Sequence, residues 1–282
     1  MTILITGSSG FIGTHLLKYF SKTNHTIYSI SRDQGFDLSI PGWTKKIQID
    51  SVEIVIHLAQ SLNYRDFEKN SNDIFSVNVN STQELLDWSK NHGVRKFIFT
   101  SSVNIYGSLY NKYIEEGDKL NYDSFYGLSK FLAEKLILFY SQYFDVLTLR
   151  LNTVYGPGQK GTLIPDIIKK ITKNEKIYLG EDLGIMLSPI FVEDLVKIIY
   201  FFIITDKKIK HSVFNVSGPE KVSLKEIVRI ISGILSTSPQ IEVTSQKCKY
   251  FVSENNKLVS ILSDQFIFTS IEQGLNLTCN KI

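Results

Sequence analysis

The sequence predicts an α/β protein built on a doubly wound parallel sheet, with a smaller C-terminal region. Three observations carry this. Up to Arg150, short β-branched runs alternate with longer amphipathic stretches, the pattern of repeated βαβ units. The short runs are apolar throughout, as strands must be when helices cover both faces of a sheet. A glycine-rich turn joins the first run to the first amphipathic stretch, where open α/β sheets bind their ligands.

In chain order, strands are expected at Ile3 to Thr6, Thr26 to Ser31, Ile54 to Leu58, Phe97 to Ser101 and Val146 to Leu151. Helices are expected at Phe11 to Lys22, Gln83 to His92 and Phe125 to Tyr143. Beyond Arg150 the texture changes. Tyr155-Gly156-Pro157-Gly158 is a turn, and Gly161 to Gly184 mixes helical periodicity with glycine and proline. Phe214 to Val216 reads as a strand, and Ser223 to Leu235 as a helix begun by a capping box of Ser223 and Glu226. The expected division gives residues 1–153 to the first domain, with the elements near 189–217 returning to it, and residues 154–188 and 218–282 to the second region.

Composition narrows the function classes. The 282 residues are 43% hydrophobic and 21% charged, and 31 basic against 28 acidic side chains leave a net charge of +3. That balance excludes disorder as the main state, and with no charge block at either tail neither nucleic acid nor an anionic membrane is an expected partner. Cys248 and Cys279 cannot build a disulfide framework, and the opening Met1-Thr2-Ile3-Leu4-Ile5 has no signal-peptide character, so a reducing cytoplasm is the expected compartment. The greasiest run, Ile198 to Ile204 between Lys197 and Asp206, falls far short of the roughly 20 apolar residues of a bilayer span. His15, His25, His57, His92 and His211 are scattered, so no metal site is expected.

In Thr6-Gly7-Ser8-Ser9-Gly10-Phe11-Ile12-Gly13 the glycines fall at offsets 0, 3 and 6 between strand and helix. A pyrophosphate reaches a helix N-terminus only where backbone N–H groups can approach it without intervening side chains. Gly7, Gly10, Phe11, Ile12 and Gly13 are therefore expected to hold a dinucleotide. About 20 residues further on, where an acidic side chain would bond the ribose 2′-hydroxyl of NAD, stand Ser31 and Arg32. A hydroxyl beside a guanidinium suits a 2′-phosphate, so NADP(H) is preferred; NAD(H) remains possible because Asp33 is adjacent.

Tyr126 and Lys130 stand one helical turn apart, which puts phenol and ammonium on one face. A nearby ammonium is expected to lower the phenol's pKa and let it move a proton. The strand ending in Ser101-Ser102 brings a hydroxyl to the carboxyl edge of the sheet, where it can hold a substrate carbonyl in line with the tyrosine.

These residues together resemble the extended short-chain dehydrogenase/reductases, and in particular the sugar-nucleotide epimerases, dehydratases and 4-keto reductases. The resemblance runs from Thr6 to about Gly218. It rests on the glycine motif, His57-Leu58-Ala59, Asn78-Val79-Asn80-Ser81-Thr82, Ser101-Ser102 with Tyr106-Gly107, Tyr126-x-x-x-Lys130, Arg150 to Gly158, and Phe191-Val192-Glu193-Asp194. It implies a Rossmann-type cofactor domain and a nucleotide-diphosphate sugar as substrate. Position by position, it makes Tyr126 the acid/base, Lys130 its electrostatic partner and a ribose ligand, and Ser102, four before Tyr106, the hydroxyl that orients the reacting oxygen. Asp37 and Leu38 match the pair that brackets adenine, Leu58, Ala59 and Asn78 lie with the cofactor, and Asn104, Thr153 and Lys160 are expected at the substrate.

Departures from the family pattern select among its reactions. Dehydratases carry Asp-Glu after the catalytic hydroxyl, whereas this chain has Val103-Asn104. Leu187 replaces an arginine that relatives use on the diphosphate, for which Lys160, Lys176, Lys247 or Lys249 could substitute. The expected function is NADPH-dependent reduction of a 4-keto-(6-deoxy) nucleotide sugar. The alternatives are a 4-epimerase using tightly held NAD and, in another class, a non-catalytic NADP-binding sensor. Relatives pair the helices corresponding to Gln83–His92 and Phe125–Tyr143 across a dimer axis. Both helices here carry surplus apolar residues (Leu85, Leu86, Trp88; Phe131, Leu132, Leu136, Ile137, Phe139, Tyr140), so a homodimer is expected.

Overall fold

The computed structural model describes residues 1–109, 112–205, 212–262 and 265–280; Asp206 and His211 lie outside them. The elements run β1 (Thr2–Thr6), α1 (Phe11–Phe20), β2 (Thr26–Ile30), β3 (Ile54–His57), α2 (Phe67–Phe75), α3 (Ser81–Lys90), β4 (Lys96–Ser102), α4 (Phe125–Phe139) and β5 (Asp145–Leu151). They continue β6 (Val154–Tyr155), α5 (Leu163–Thr172), β7 (Lys176–Gly180), β8 (Met186–Leu187), β9 (Ile190–Phe191), α6 (Val192–Ile204) and β10 (Ser212–Val216). The last are β11 (Val222–Ser223), α7 (Leu224–Ile234), β12 (Gln240–Thr244), β13 (Tyr250–Phe251), α8 (Asn256–Val259) and α9 (Ile271–Cys279).

The chain divides into two compact units. The first comprises Met1–Gly107, Lys119–Arg150 and Ile199–Phe214; the second comprises Ser108–Asp118, Leu151–Ile198 and Asn215–Ile282. The division differs from the sequence reading at four places. Residues 108–118 belong to the second unit, where Ile114 bridges to Ser253, and so do 151–153, 189–198 and 215–217.

A six-stranded sheet of order β10-β5-β4-β3-β1-β2 organises the first unit. Thr2 pairs with Thr26, Ile3 with Ile54 and Ile54 with Lys96, all parallel. Their carboxyl ends, Thr6, His57 and Ser102, therefore share one edge. Leu4, Val55, Phe97, Phe99, Leu85, Trp88, Ala133 and Ile137 form its core. The expected helix at Gln83 begins earlier, at Ser81, directly after α2 and a wide π-type turn over Ser76–Asn80. Helix α4 starts where Ser124 Oγ accepts the Gly127 N–H at 3.1 Å. It is locked at mid-length by a buried ion pair: Arg150 on β5 donates to Glu134 at 3.1 and 2.8 Å and to the Tyr106 hydroxyl at 2.6 Å.

Leu85, Leu86, Trp88 and Ile137, expected as surplus for a dimer, are spent on the chain's own core, because the faces that carry them are the ones that meet the sheet. On α4, Leu138 and Phe139 are exposed, at 52% and 74%.

In the second unit Ile164, Ile167, Ile168 and Ile171 of α5, Ile227, Val228 and Ile231 of α7 and Ile271 and Leu275 of α9 share a core. Ser223 Oγ accepts the Glu226 N–H at 3.1 Å and so caps α7. A full capping box, formed by Ser270 and Gln273, begins α9. The greasy run Ile198 to Ile204 is the last two turns or so of α6, and no described helix is long and apolar enough to cross a membrane.

Candidate functional site

The glycine turn shows which glycine serves the fold and which serves a ligand. Gly7 sits at φ +70°, and a Cβ there would lie 2.8 Å from Ala59 N. A Cβ on Gly13 would lie 2.4 Å from Gly7 O, so these two positions are dictated by the chain's own packing. Gly10 has ordinary extended backbone, φ −74° and ψ 173°, and its Cβ would meet Gly7 O at 3.1 Å. As N-cap of α1 it brings no side-chain acceptor to the first-turn N–H groups. Those donors, pointing from the positive end of a helix dipole, suit a pyrophosphate, so the turn fits the dinucleotide expected of it.

A directed hydrogen-bond chain fixes the turn to the sheet edge. Thr82 Oγ1 donates to Asn78 O at 2.8 Å and so accepts from His57 Nε2 at 2.9 Å; His57 Nδ1 in turn accepts from Thr6 Oγ1 at 2.6 Å. Burial, then the Lys130 charge, pushes His57 down to about 3, so the ring is neutral, as this chain requires. The Asn78 side chain accepts from Ser61 N at 2.8 Å and donates to Ser129 Oγ at 2.9 Å. Its amide therefore braces the loop after β3 against α4, a structural duty beside the cofactor role expected of it.

At the end of β2, Ser31 is buried and its Oγ donates to Gln34 Oε1 at 3.1 Å, while Arg32 is about half exposed. Asp37 accepts from Ser39 N and Oγ at 3.0 and 2.7 Å, which with the Arg32 and Lys46 charges holds its carboxyl below the ordinary value. Leu38 packs into the core, and Ala59 packs against it.

Tyr126, Ser102 and Lys130 meet on the buried side of α4, but not with the electrostatics the spacing suggested. Lys130 is 1% exposed; its Nζ donates to Thr100 O at 2.9 Å, lies 5.0 Å over the Phe99 ring, and is 5.9 Å from the Tyr126 ring centre. Burial pushes its pKa down to about 7, against the pull of Glu134. Burial likewise raises the Tyr126 phenol above its ordinary value, reinforced by Tyr64 and opposed by the Ser102 hydroxyl and Arg65. The expectation that the ammonium lowers the phenol is therefore corrected: desolvation dominates and favours the neutral phenol. Of the two serines, Ser102 acts on the phenol and accepts the Asn104 N–H at 3.2 Å, whereas Ser101 Oγ is buried without a partner.

Three further residues join this site. The Tyr126 hydroxyl donates to Gln60 Oε1 at 2.8 Å, and the Tyr64 ring lies 4.7 Å from that of Tyr126, with Arg65 over Tyr64 at 5.2 Å. Tyr64 and Arg65 look equally like solvated loop in the sequence, and no local pattern separates them from one; Gln60, next to Ala59, carried a positional signal. Asn104 sits in the 3-10 turn Val103–Tyr106, and a Cβ on Gly127 would approach its carbonyl oxygen to 2.7 Å, which explains the glycine after the catalytic-type tyrosine. Thr153 and Lys160 belong to the second unit, where Thr153 N donates to Asn152 Oδ1 at 2.7 Å and Lys160 is exposed. Among the described residues no three His, Cys, Asp or Glu side chains gather as metal ligands would.

An uncapped helix N-terminus after a parallel strand, with a hydroxyl at the end of β4 and a phenol and an ammonium facing it from α4, defines a dinucleotide-dependent enzyme of the short-chain dehydrogenase type. More specifically, the chain belongs to the NAD dependent epimerase/dehydratase family, whose model matches residues 3–217, and it is an NAD(P)-dependent enzyme of that family. It is 26% identical over 250 residues to a putative UDP-glucose 4-epimerase of Methanocaldococcus jannaschii, covering 81% of each chain. It is equally 26% identical over 275 residues to a dTDP-4-dehydro-6-deoxy-D-allose reductase of Streptomyces bikiniensis, covering 86% of this chain and 83% of the relative. The UDP-glucuronic acid 4-epimerase of Bacillus cereus, solved with UDP-glucuronic acid and NAD, superposes with a TM-score of 0.85 at 23% identity, over 100% of this chain and 98% of that one.

Proposed function

We propose that the protein is an NADPH-dependent reductase of a 4-keto-(6-deoxy) nucleotide-diphosphate sugar. The observation that carries the reading is the Ser31-Arg32 pair at the end of β2, whose half-exposed guanidinium suits a ribose 2′-phosphate: an epimerase recycles one tightly held NAD and gains nothing from the reducing NADPH pool. The nicotinamide cofactor, when bound, supplies the hydride. The chain's own residues do the rest. Gly10 and the first-turn N–H groups of α1 hold the pyrophosphate, and Arg32 takes the 2′-phosphate. Ser102 donates to the carbonyl oxygen and fixes it in line with Tyr126, which gives up its proton as that oxygen gains charge. Lys130 bonds the ribose, and Asn104, Thr153 and Lys160 contact the substrate.

Similarity to the archaeal putative UDP-glucose 4-epimerase favours a second reading, 4-epimerisation by the same three residues. Incubating the purified protein with NADPH and a panel of 4-keto nucleotide sugars, and in parallel with NAD and 4-hydroxy nucleotide sugars, separates the two. NADPH consumed one-for-one with a reduced sugar supports the reductase; isomerised sugar with no net consumption refutes it.

A further inference from the structure

The turn that receives the dinucleotide is flanked by an ion pair. In the sheet order β3-β1-β2, the carboxyl end of β1, with its glycine turn, lies between the ends of β2 and β3. Arg32 follows β2, and Asp73 sits on α2, which follows β3. Their contact, Arg32 Nη2 to Asp73 Oδ1 at 3.9 Å, therefore joins the segments on either side of that turn. Asp73 is held for this role: Ser61 Oγ and Asn63 Nδ2 both donate to its other oxygen, Oδ2, leaving Oδ1 to face the guanidinium. The pair is loose, with side chains 48% and 25% exposed, and Arg32 also feels the Asp37 carboxylate. A long, wet ion pair of this kind is readily exchanged for a better anion.

We propose that Asp73 is a specificity-determining residue for the cofactor: it competes with the 2′-phosphate for Arg32, so NADP(H) binds by exchanging one counter-ion of the guanidinium for another. The proposal rests on the reading of the protein as an NADP(H) enzyme. NAD(H) brings no anion to exchange, so Asp73 weakens NADP(H) selectively and brings the two affinities closer together. Once exchanged, the Asp73 carboxylate remains near a phosphate of like charge, which acts in the same direction.

The test is titration of NADPH and NADH by fluorescence into the full chain and its variants at low salt. Asp73→Asn keeps an oxygen for Ser61 and removes only the charge; it is expected to tighten NADPH about fivefold and NADH by under about twofold. Asp73→Ser gives the same change in ratio if the amide disturbs the loop. If Arg32→Ala weakens NADPH selectively while both Asp73 variants leave the ratio unchanged, or tighten both cofactors equally, the role of Asp73 is overturned and the NADP(H) reading stands. If Arg32→Ala weakens both cofactors alike, the NADP(H) reading itself fails.

Discussion

Replacing Lys130 with methionine is expected to stabilise the fold at neutral pH while removing function. The ammonium is buried, donates to Thr100 O at 2.9 Å, and has its pKa pushed from 10.5 down to about 7. Unfolding returns it to water, where it takes up a proton anywhere below its ordinary value. Between about 7 and 10.5 the unfolded chain thus binds more protons than the folded one, and the stability lost to this group is regained as pH rises through that window. At about 1.4 kcal/mol per tenfold change in proton affinity, the cost at pH 7 has an upper bound of roughly 5 kcal/mol. Relaxation and water penetration around a buried charge reduce that bound, and methionine leaves the Thr100 carbonyl without its donor, at about 1–2 kcal/mol. The net gain is about 2–3 kcal/mol, or roughly 3–5 °C in melting temperature for a chain of this size. The assay is thermal unfolding of parent and Lys130→Met side by side from pH 7 to pH 10. Because other groups titrate equally in both, their difference isolates Lys130: the variant should melt higher at pH 7, and its advantage should shrink towards pH 10. A variant that melts below the parent at pH 7 would show that the ammonium is well satisfied and refute the reasoning. The same variant should lose NADPH affinity and turnover through the missing ribose donor.

Tyr126→Phe keeps the ring against Tyr64 and removes the proton donor, so NADPH binding should survive while turnover falls on the order of 10²–10⁴-fold; full activity on the true substrate would assign the proton to another group. Gly13→Ala drives a Cβ to 2.4 Å from Gly7 O and should destabilise the fold, whereas Gly10→Ala should fold and lose dinucleotide affinity, as melting curves and titration together can show. Glu134→Ala leaves the Arg150 guanidinium buried without its carboxylate and should cost about 3–5 kcal/mol in denaturant unfolding. The homodimer we propose would rest on Leu138 and Phe139, so Phe139→Asp should give a 32.2 kDa particle in light scattering where the parent gives twice that mass; a monomeric parent would refute it.

The strands of the first unit were legible because both-face burial writes itself as uninterrupted apolar runs, and their ends shifted by a residue or less at Ile3, Phe97 and Val146. Helix α2 and the wide turn after it were not, since Phe67–Phe75 buries only Ile74 and offers no periodic stripe. Nor was the origin of 108–118 in the second unit, because its placement depends on single bridges, Leu109 to Tyr250 and Ile114 to Ser253, that no local pattern encodes. At the site, the residue types and their meeting could be read from spacing, but their protonation could not. Spacing gives the 5.9 Å approach of Lys130 to Tyr126, while the sign of each pKa follows from desolvation, and that depends on Phe99, Tyr64 and the loop after β3 closing over both groups. Electrostatic inference from i,i+4 spacing holds where water screens both side chains. Here the pair faces the core, and the same two residues that would tune one another at a surface are each pushed towards the neutral form.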